Sequence, residues 1–205
     1  RKDAHLPEGR KYHGSELKKP EAKAAWAAVD TLAKKSIYLR REFYVAKKVK
    51  DATAYVCGLG FYEFSLNGEK VGDSEFAPLW SDYDKSVYYN TYDVTSQVKK
   101  GGNAIGVLLG NGFYNVQGGR YRKLQISFGA PTLRFRMVVN YEDGTCETIV
   151  SGKDWKYDFS PVLFNCIYGG EDYDARREQK GWNMFGFKEQ DWHPVVIQEA
   201  PKGVL

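Results

Sequence analysis

One short stretch, Tyr62-Glu63-Phe64-Ser65-Leu66-Asn67-Gly68, decides the fold class of this chain. Its apolar residues alternate with polar ones, which is the period of a strand that buries one face. Asn-Gly is the preferred dipeptide of a type I′ turn, in which both central residues adopt positive φ. We therefore predict a strand that ends in a tight β-hairpin.

The same signals recur further along the chain. Residues 133–141 alternate in the same way and run into Glu142-Asp143-Gly144, a second turn, after which residues 145–150 return. Ile105-Gly106-Val107-Leu108-Leu109 is instead a continuous apolar run, as expected of a strand covered on both faces. Several short strands separated by turns favour a mainly all-β fold, an antiparallel β-sandwich of jelly-roll type.

The two ends of the chain differ in composition from the middle. Residues 1–35 begin as a polar arm and continue with apolar residues at helical spacing, which predict one amphipathic helix over roughly 21–34. We assign residues 36–198 to the β-sandwich. Residues 199–205 contain Pro201 and Gly203 and are expected to form a linker to a domain missing from this sequence.

Charge and cysteine usage exclude several classes of function. The net charge of +4 is uneven, because residues 1–50 hold 14 Lys/Arg and 6 Asp/Glu, so residues 51–205 carry −4. A nucleic-acid binder concentrates Lys and Arg on its folded domain, which argues against that partner. No apolar run is long enough to span a membrane. The three cysteines, Cys57, Cys146 and Cys166, contain no Cys-x-x-Cys pair, so we expect no structural zinc site.

Two glycine-rich blocks carry a resemblance to a known family. Leu109-Gly110-Asn111-Gly112-Phe113-Tyr114 and Gly169-Gly170-Glu171-Asp172-Tyr173-Asp174-Ala175-Arg176 resemble two signatures of the N-terminal β-domain of bacterial α-L-rhamnosidases. The resemblance spans roughly residues 38–192. Further matches follow the order of that family: Asn67–Asp73, Ala77–Asp84, Tyr92–Thr95 and Gly102–Ile105.

The resemblance implies a galactose-binding-like sandwich that serves as a non-catalytic accessory domain of a glycoside hydrolase. In that family the catalytic carboxylates lie in a separate (α/α) barrel, so we expect no catalytic residue in this chain. The domain is expected to dock on the barrel of the same polypeptide and to bind rhamnose-containing carbohydrate, in a secreted or periplasmic bacterial enzyme. One alternative is a carbohydrate-binding module that acts independently of docking. A self-contained hydrolase is a more distant alternative.

The carboxylates near Arg176 are the candidates for chemistry. Glycoside hydrolysis needs two carboxyl groups across a sugar-sized cleft, one of them protonated. A neighbouring guanidinium lowers the pKa of a carboxyl group, which is the opposite of what a general acid requires. We therefore interpret this block as an ion-paired loop that docks on a neighbouring domain, with a purely internal role in fixing its own segment as the alternative. The expected interface residues are Glu171, Tyr173, Asp174, Arg176 and Trp182.

Sugar binding is the second candidate, since it needs exposed rings together with oxygen-bearing side chains. Ordinary turns would account for the same residues, and Phe113 stands where relatives typically have Trp. The expected carbohydrate-binding residues are Asp73, Trp80, Asp82, Tyr83, Asn111, Phe113 and Tyr114. Calcium prefers oxygen ligands, and some relatives bind rhamnose through it, so a possible calcium site would use Asp73, Asp82 and Asp84.

Overall fold

The computed structural model describes residues 11–12, 35–116 and 125–199. The helix predicted over roughly 21–34 and most of the predicted linker lie outside the described residues. Lys11–Tyr12, within the predicted arm, forms a two-residue strand that pairs with a later one. No helix in the described part of the chain is long and apolar enough to cross a membrane.

The described residues form fifteen strands and one short 3-10 helix, Ala175–Arg177. The strands are β1 Lys11–Tyr12, β2 Ile37–Val45, β3 Val49–Leu59, β4 Tyr62–Leu66, β5 Glu69–Lys70, β6 Asn90–Asp93, β7 Gly101–Leu109, β8 Asn115–Val116, β9 Gln125–Ser127, β10 Thr132–Tyr141, β11 Cys146–Val150, β12 Lys156–Phe159, β13 Val162–Cys166, β14 Gly170–Tyr173 and β15 His193–Pro194.

Two antiparallel sheets face each other across the main core. One has four strands in the order β11-β10-β3-β6, and the other has six in the order β15-β12-β2-β7-β4-β5. The buried cluster between them contains residues of both sheets, and the rings of Phe64 and Phe135 meet across it at 5.5 Å. A three-stranded sheet, β1-β9-β8, and the β13-β14 hairpin complete the topology. The predicted all-β antiparallel sandwich is confirmed.

The hairpin predicted at Asn67-Gly68 joins β4 to β5. Asn67 and Gly68 have φ values of 54° and 88°, as a type I′ turn requires. The Asn67 side chain also ties three segments together: its Nδ2 donates to the Gln97 carbonyl at 2.9 Å and to Asn103 Oδ1 at 2.8 Å, and its Oδ1 accepts from the Ala104 amide at 2.9 Å. The turn thus fixes the edge of the six-stranded sheet.

The outer face of the six-stranded sheet is covered by residues 179–192, which we call the covering segment. The Trp182 ring stacks on Tyr38 of β2 with centroids 4.0 Å apart, and Trp192 lies beside both rings. A side chain at Gly106 of β7 would collide with Asn183 and Trp182. The continuous apolar run of β7 is therefore covered on both faces, as predicted.

The Arg40 guanidinium anchors the covering segment to β2. It is fully buried, and it donates through Nε to the Trp182 carbonyl at 2.7 Å and through Nη2 to the Met184 carbonyl at 2.9 Å. Its charge is balanced by Glu42 Oε1 at 2.6 Å from Nη2 and by Glu189, which is ion-paired to Nη1. Buried charges of this kind persist because they are paired and hydrogen-bonded.

Replacing Arg40 tests this anchor. Arg40→Met keeps much of the volume but leaves the Trp182 and Met184 carbonyls without their donor. It also removes one of the two cations paired with Glu189, the other being Lys156, so we expect the free energy of unfolding to fall by about 3–5 kcal/mol. Urea denaturation of both proteins at pH 7 measures the change. Arg177→Met is the matched control, because its exposed guanidinium is 3.6 Å from Asp174 and surface pairs contribute about 0–1 kcal/mol. Equal losses in the two variants would contradict the assignment.

Candidate interaction site

An exposed group of mainly aromatic side chains lies where β3 and β7 end and β4 begins. We call it the aromatic patch, and it comprises Phe61, Phe76, Leu79, Trp80, Phe113 and Tyr168. Phe76, Leu79 and Trp80 are 68%, 76% and 51% exposed. Large apolar side chains are seldom this exposed together unless they meet a partner.

The rings of the aromatic patch hold one another in place. Trp80 stacks flat on Phe113, with centroids 4.7 Å apart and an interplanar angle of 11°. Phe113 also meets Phe61 and Tyr168 edge-on at 5.9 and 6.2 Å. Phe61 in turn contacts Phe76 at 5.5 Å. Because each ring rests on another, little side-chain freedom remains to be lost when a partner binds.

The Phe76 backbone is unusual for a bulky residue. Its φ is 53°, in the left-handed region that costs about 1–3 kcal/mol for residues other than glycine. The next residue is anchored, because the Ala77 carbonyl accepts from the Tyr62 amide at 2.9 Å. The protein thus holds an exposed ring on a strained backbone, a combination that is more common at binding sites than in ordinary loops.

The loop that carries Phe113 is fixed by amide groups. Asn165 Oδ1 accepts from the Asn111 amide at 2.6 Å, and the Asn111 Nδ2 donates to the Asn165 carbonyl at 3.1 Å. Asn111 Oδ1 accepts from Asn115 Nδ2 at 3.0 Å. Gly112 has a φ of 51°, and a Cβ there would lie 2.6 Å from the Phe61 amide nitrogen. The Gly-Asn-Gly sequence is therefore a structural requirement of this turn.

The seven residues expected to bind carbohydrate occupy three different environments. Trp80 and Phe113 are brought together in the aromatic patch. Asn111, Tyr83 and Tyr114 are buried, so their side chains do not face solvent. Asp73 and Asp82 are exposed, and Asp82 pairs with Lys85 at 3.2 Å.

The buried tyrosines belong to a second small core with Cys57, Leu59 and Val87. Tyr83 and Tyr114 meet edge-on at 5.0 Å, and the Tyr114 hydroxyl donates to the Phe128 carbonyl. Burial raises the pKa of Tyr114 to about 12. The two phenols therefore stay neutral at physiological pH and support the loops from below.

No metal-binding cluster is found where the structure describes the chain. In residues 11–12, 35–116 and 125–199, no three His, Cys, Asp or Glu side chains gather closely enough to hold a metal ion. The three aspartates considered for calcium, Asp73, Asp82 and Asp84, are therefore not assembled into one ligand set. Any calcium bound there would need further oxygens from its ligand.

The residues expected at a domain interface separate into surface and interior positions. Glu171 and Tyr173 are exposed on β14, and Asp174 follows them. The Arg176 guanidinium donates to both Asp174 oxygens, at 2.7 and 2.9 Å, and this hydrogen bonding lowers the pKa of Asp174. Trp182, in contrast, is engaged inside the domain against Tyr38.

Sequence reasoning missed four members of the aromatic patch, Phe61, Phe76, Leu79 and Tyr168. Each lies in a loop, where no periodicity distinguishes a buried from an exposed side chain. One signal was available for Tyr168, because it directly precedes the glycine pair of the second family block. The patch itself depends on loops from distant parts of the sequence.

Comparisons with known proteins identify the family to which the two glycine-rich blocks point. The model of the "Alpha-L-rhamnosidase N-terminal domain" family matches residues 47–205. This chain belongs to the α-L-rhamnosidase N-terminal domain family. The two glycine-rich blocks, one in the loop below Trp80 and one in the β13-β14 hairpin, both lie inside the matched region.

Relatives of this family member are α-L-rhamnosidases. The chain is 43% identical over 159 residues to an α-L-rhamnosidase of Formosa agariphila, covering 76% of this chain and 17% of the relative. Two crystal structures are similar. The Streptomyces avermitilis α-L-rhamnosidase complexed with L-rhamnose is 40% identical, with a TM-score of 0.76 over 82% of this chain and 16% of that one. The Aspergillus terreus α-L-rhamnosidase is 37% identical, with a TM-score of 0.75 over 82% and 20%. The chain thus spans about a fifth or less of each relative's length.

Two glycine substitutions test the geometry of the Phe113 loop. Gly112→Ala forces both a left-handed alanine and a close contact with the Phe61 amide, so we expect a loss of at least about 2 kcal/mol in unfolding free energy. Gly170→Ala is the matched control, because Gly170 has a φ of 72° but a Cβ there meets nothing within 4 Å. Its expected loss is about 1 kcal/mol. Urea denaturation of both variants compares them, and equal losses would show that the Phe61 contact contributes nothing.

Proposed function

We propose that this domain is a non-catalytic accessory domain that docks on the catalytic part of a longer α-L-rhamnosidase polypeptide. The observation that carries the proposal is the aromatic patch, a preformed apolar surface of loops at one end of the sandwich. Aromatic residues are enriched at the centres of protein interfaces. A surface of packed rings with three strongly exposed apolar members is costly to leave in water.

The surroundings of the aromatic patch support docking as well. Tyr168 lies in the turn of the β13-β14 hairpin, where Glu171 is exposed, and Arg176 is exposed in the 3-10 helix that follows. An apolar centre beside charged groups is the usual arrangement of an interface core and its rim. The Arg176–Asp174 pair leaves the Arg176 side chain 89% exposed, so it remains accessible to a partner's carboxylate or carbonyl groups.

The Asp174 carboxylate supports a non-catalytic role for the block that contains it. Asp174 is held ionised by Arg176, so it has no proton to give near neutral pH. A general acid for glycoside hydrolysis needs a raised pKa instead. This chain covers 17% and 16% of two relatives, which leaves ample length in them for a catalytic domain elsewhere.

Docking predicts that the aromatic patch is protected in the longer polypeptide. We expect amide hydrogens of residues 76–80 to exchange at least about tenfold more slowly there than in the isolated chain, because a covered patch restricts local opening. Hydrogen exchange with mass spectrometry measures both forms. Residues 97–101, which lie outside the patch, give the reference rate. Equal exchange of residues 76–80 in the two forms would overturn docking through this surface.

Substitutions in the longer polypeptide give a second test of docking through the aromatic patch. Trp80→Ser should expose buried interface area and lower the midpoint of thermal unfolding. Tyr44→Ser is the matched control, because Tyr44 is an exposed aromatic outside the patch. In the isolated chain the two substitutions should differ much less, since no docked partner is lost there.

Carbohydrate capture is a second candidate function, and the exposed Trp80 ring favours it. One face of the indole is occupied by Phe113, and about half of the side chain remains accessible. A fixed, half-exposed ring is a suitable platform for the apolar face of a sugar. Docking would cover the Trp80 ring, whereas capture needs that ring open to the sugar. The two proposals are therefore distinguishable by experiment.

Capture predicts weak binding of rhamnose to the isolated chain. With one sugar ring and one stacking contact, we expect a Kd near about 1 mM, or about −4 kcal/mol. Rhamnose titrated into the chain should shift the Trp80 indole NMR signal, first with calcium and then with a chelator, which tests whether the metal assists. In Trp80→Ser the signals of the neighbouring Phe113 ring should no longer shift with rhamnose, whereas Tyr44→Ser should retain the shifts of both Trp80 and Phe113. If no signal near Trp80 moves at tens of millimolar rhamnose in either condition, capture at this site is excluded.

A further inference from the structure

We propose that the outer face of the four-stranded sheet binds an acidic oligosaccharide, one whose sugar units carry carboxylates. The observation is a pair of exposed arginines, Arg134 and Arg136, beside tyrosine rings on this face. The site is separate from the aromatic patch and does not depend on the docking proposal.

The two arginines point outward because of the strand pattern of β10. Phe135 and Met137 are buried in the main core, so Arg134 and Arg136, which alternate with them, lie on the opposite face. Residues two apart on a strand are separated by roughly 6.6 Å. Neither arginine has an ion-pair partner in the part of the chain that the structure describes. Two free guanidinium groups thus stand in one line along the strand.

Tyrosine rings lie directly beside this line. Tyr55 of β3 is the cross-strand partner of Arg136, and its ring meets the exposed Tyr89 ring at 6.2 Å. Thr91 of β6 pairs with Tyr55 on its other side and adds an exposed hydroxyl. The face therefore offers guanidinium groups, ring faces and a hydroxyl within two strand pairs of one another.

The acids on the same face do not neutralise the arginines. Asp51 lies on the same outer face as Arg136, two outward-facing cross-strand pairs further along the sheet. The Asn140 side-chain amide donates to its carboxylate at 2.5 Å. Asp93 lies on the edge strand opposite Thr53 and accepts from the amide and the hydroxyl of Thr95. Both carboxylates are engaged by neighbouring groups. Glu199 lines a cavity together with Arg134 but forms no ion pair with it among the described residues, so both guanidinium groups remain available to an external anion.

The combination of groups points to an acidic sugar chain. A guanidinium binds a carboxylate through two parallel hydrogen bonds, and tyrosine rings pack against the apolar faces of sugar rings. Nucleic acid fits less well, because affinity for it rests on many phosphate contacts, whereas this line of the strand offers two arginines.

Titration of tetragalacturonic acid into the 205-residue chain tests the proposal. We expect the Tyr55 and Tyr89 NMR signals and the signals of both arginine side chains to shift, and the affinity to fall several-fold between 20 and 200 mM NaCl because exposed charges are screened. The fully methyl-esterified oligosaccharide lacks the carboxylates and should bind at least about tenfold more weakly. Equal binding of the acid and the ester would overturn the proposal.

Variants assign the binding to this face. Arg134→Gln and Arg136→Gln should each weaken binding by about fivefold or more, and Tyr55→Ser should also weaken it. Arg177→Gln is the matched control, since it removes a partly exposed arginine elsewhere and should leave the affinity unchanged. A short single-stranded DNA of equal charge should bind more weakly than the acid. If the control variant weakens binding as much, or if the DNA binds equally well, the face is a general anion attractor and the proposal fails.

Discussion

The Arg40 guanidinium provides the interaction on which the rest of the sandwich depends. The outer face of the six-stranded sheet carries Tyr38 and Arg40 of β2 and Gly106 of β7, and the covering segment that lies on it forms no strand over Trp182–Met184. Backbone carbonyls buried without donors are costly. Arg40 supplies those donors, since a guanidinium has five N–H groups in a fixed fork. One charged side chain thus allows an irregular segment to act as a second layer.

The sequence of β7 provides the space for this layer. Ile105, Val107 and Leu109 face the main core, whereas the other face carries residues as small as Gly102 and Gly106. Larger side chains at these two positions would meet Phe185, Asn183 and Trp182. The β7 sequence is therefore apolar on both faces for two different reasons. One face fills the space between two sheets, and the other lets rings of the covering segment approach the backbone.

Local patterns carried enough information to predict the strands and the tight turns. Alternation in β4 and β10 and the Asn67-Gly68 pair each act over a few residues, so a window of the sequence contains their cause. The same windows did not reveal which polar and aromatic residues are buried. Asn111 resembles a sugar-binding amide in sequence, yet its side chain is used by Asn165, 54 residues away.

The aromatic patch and the covering segment could not be predicted from the sequence for a related reason. Trp80 and Phe113 are 33 positions apart, and Arg40 and Trp182 are 142 apart. Such pairs exist only after the sheets have formed and brought their loops together. The Glu171–Arg176 block was easier to interpret, because Asp174 and Arg176 are close in sequence and their charge pairing is local.

The three principal surfaces of the domain differ in how far the chain itself covers them. The outer face of the six-stranded sheet is occupied at β2 and β7 by the covering segment. The aromatic patch is apolar and uncovered, which makes it the surface with the largest free-energy gain on burial. The outer face of the four-stranded sheet is polar and stable in water, so it binds by charge and hydrogen bonding rather than by desolvation. A protein partner therefore favours the patch, and a hydrated sugar chain favours the sheet face.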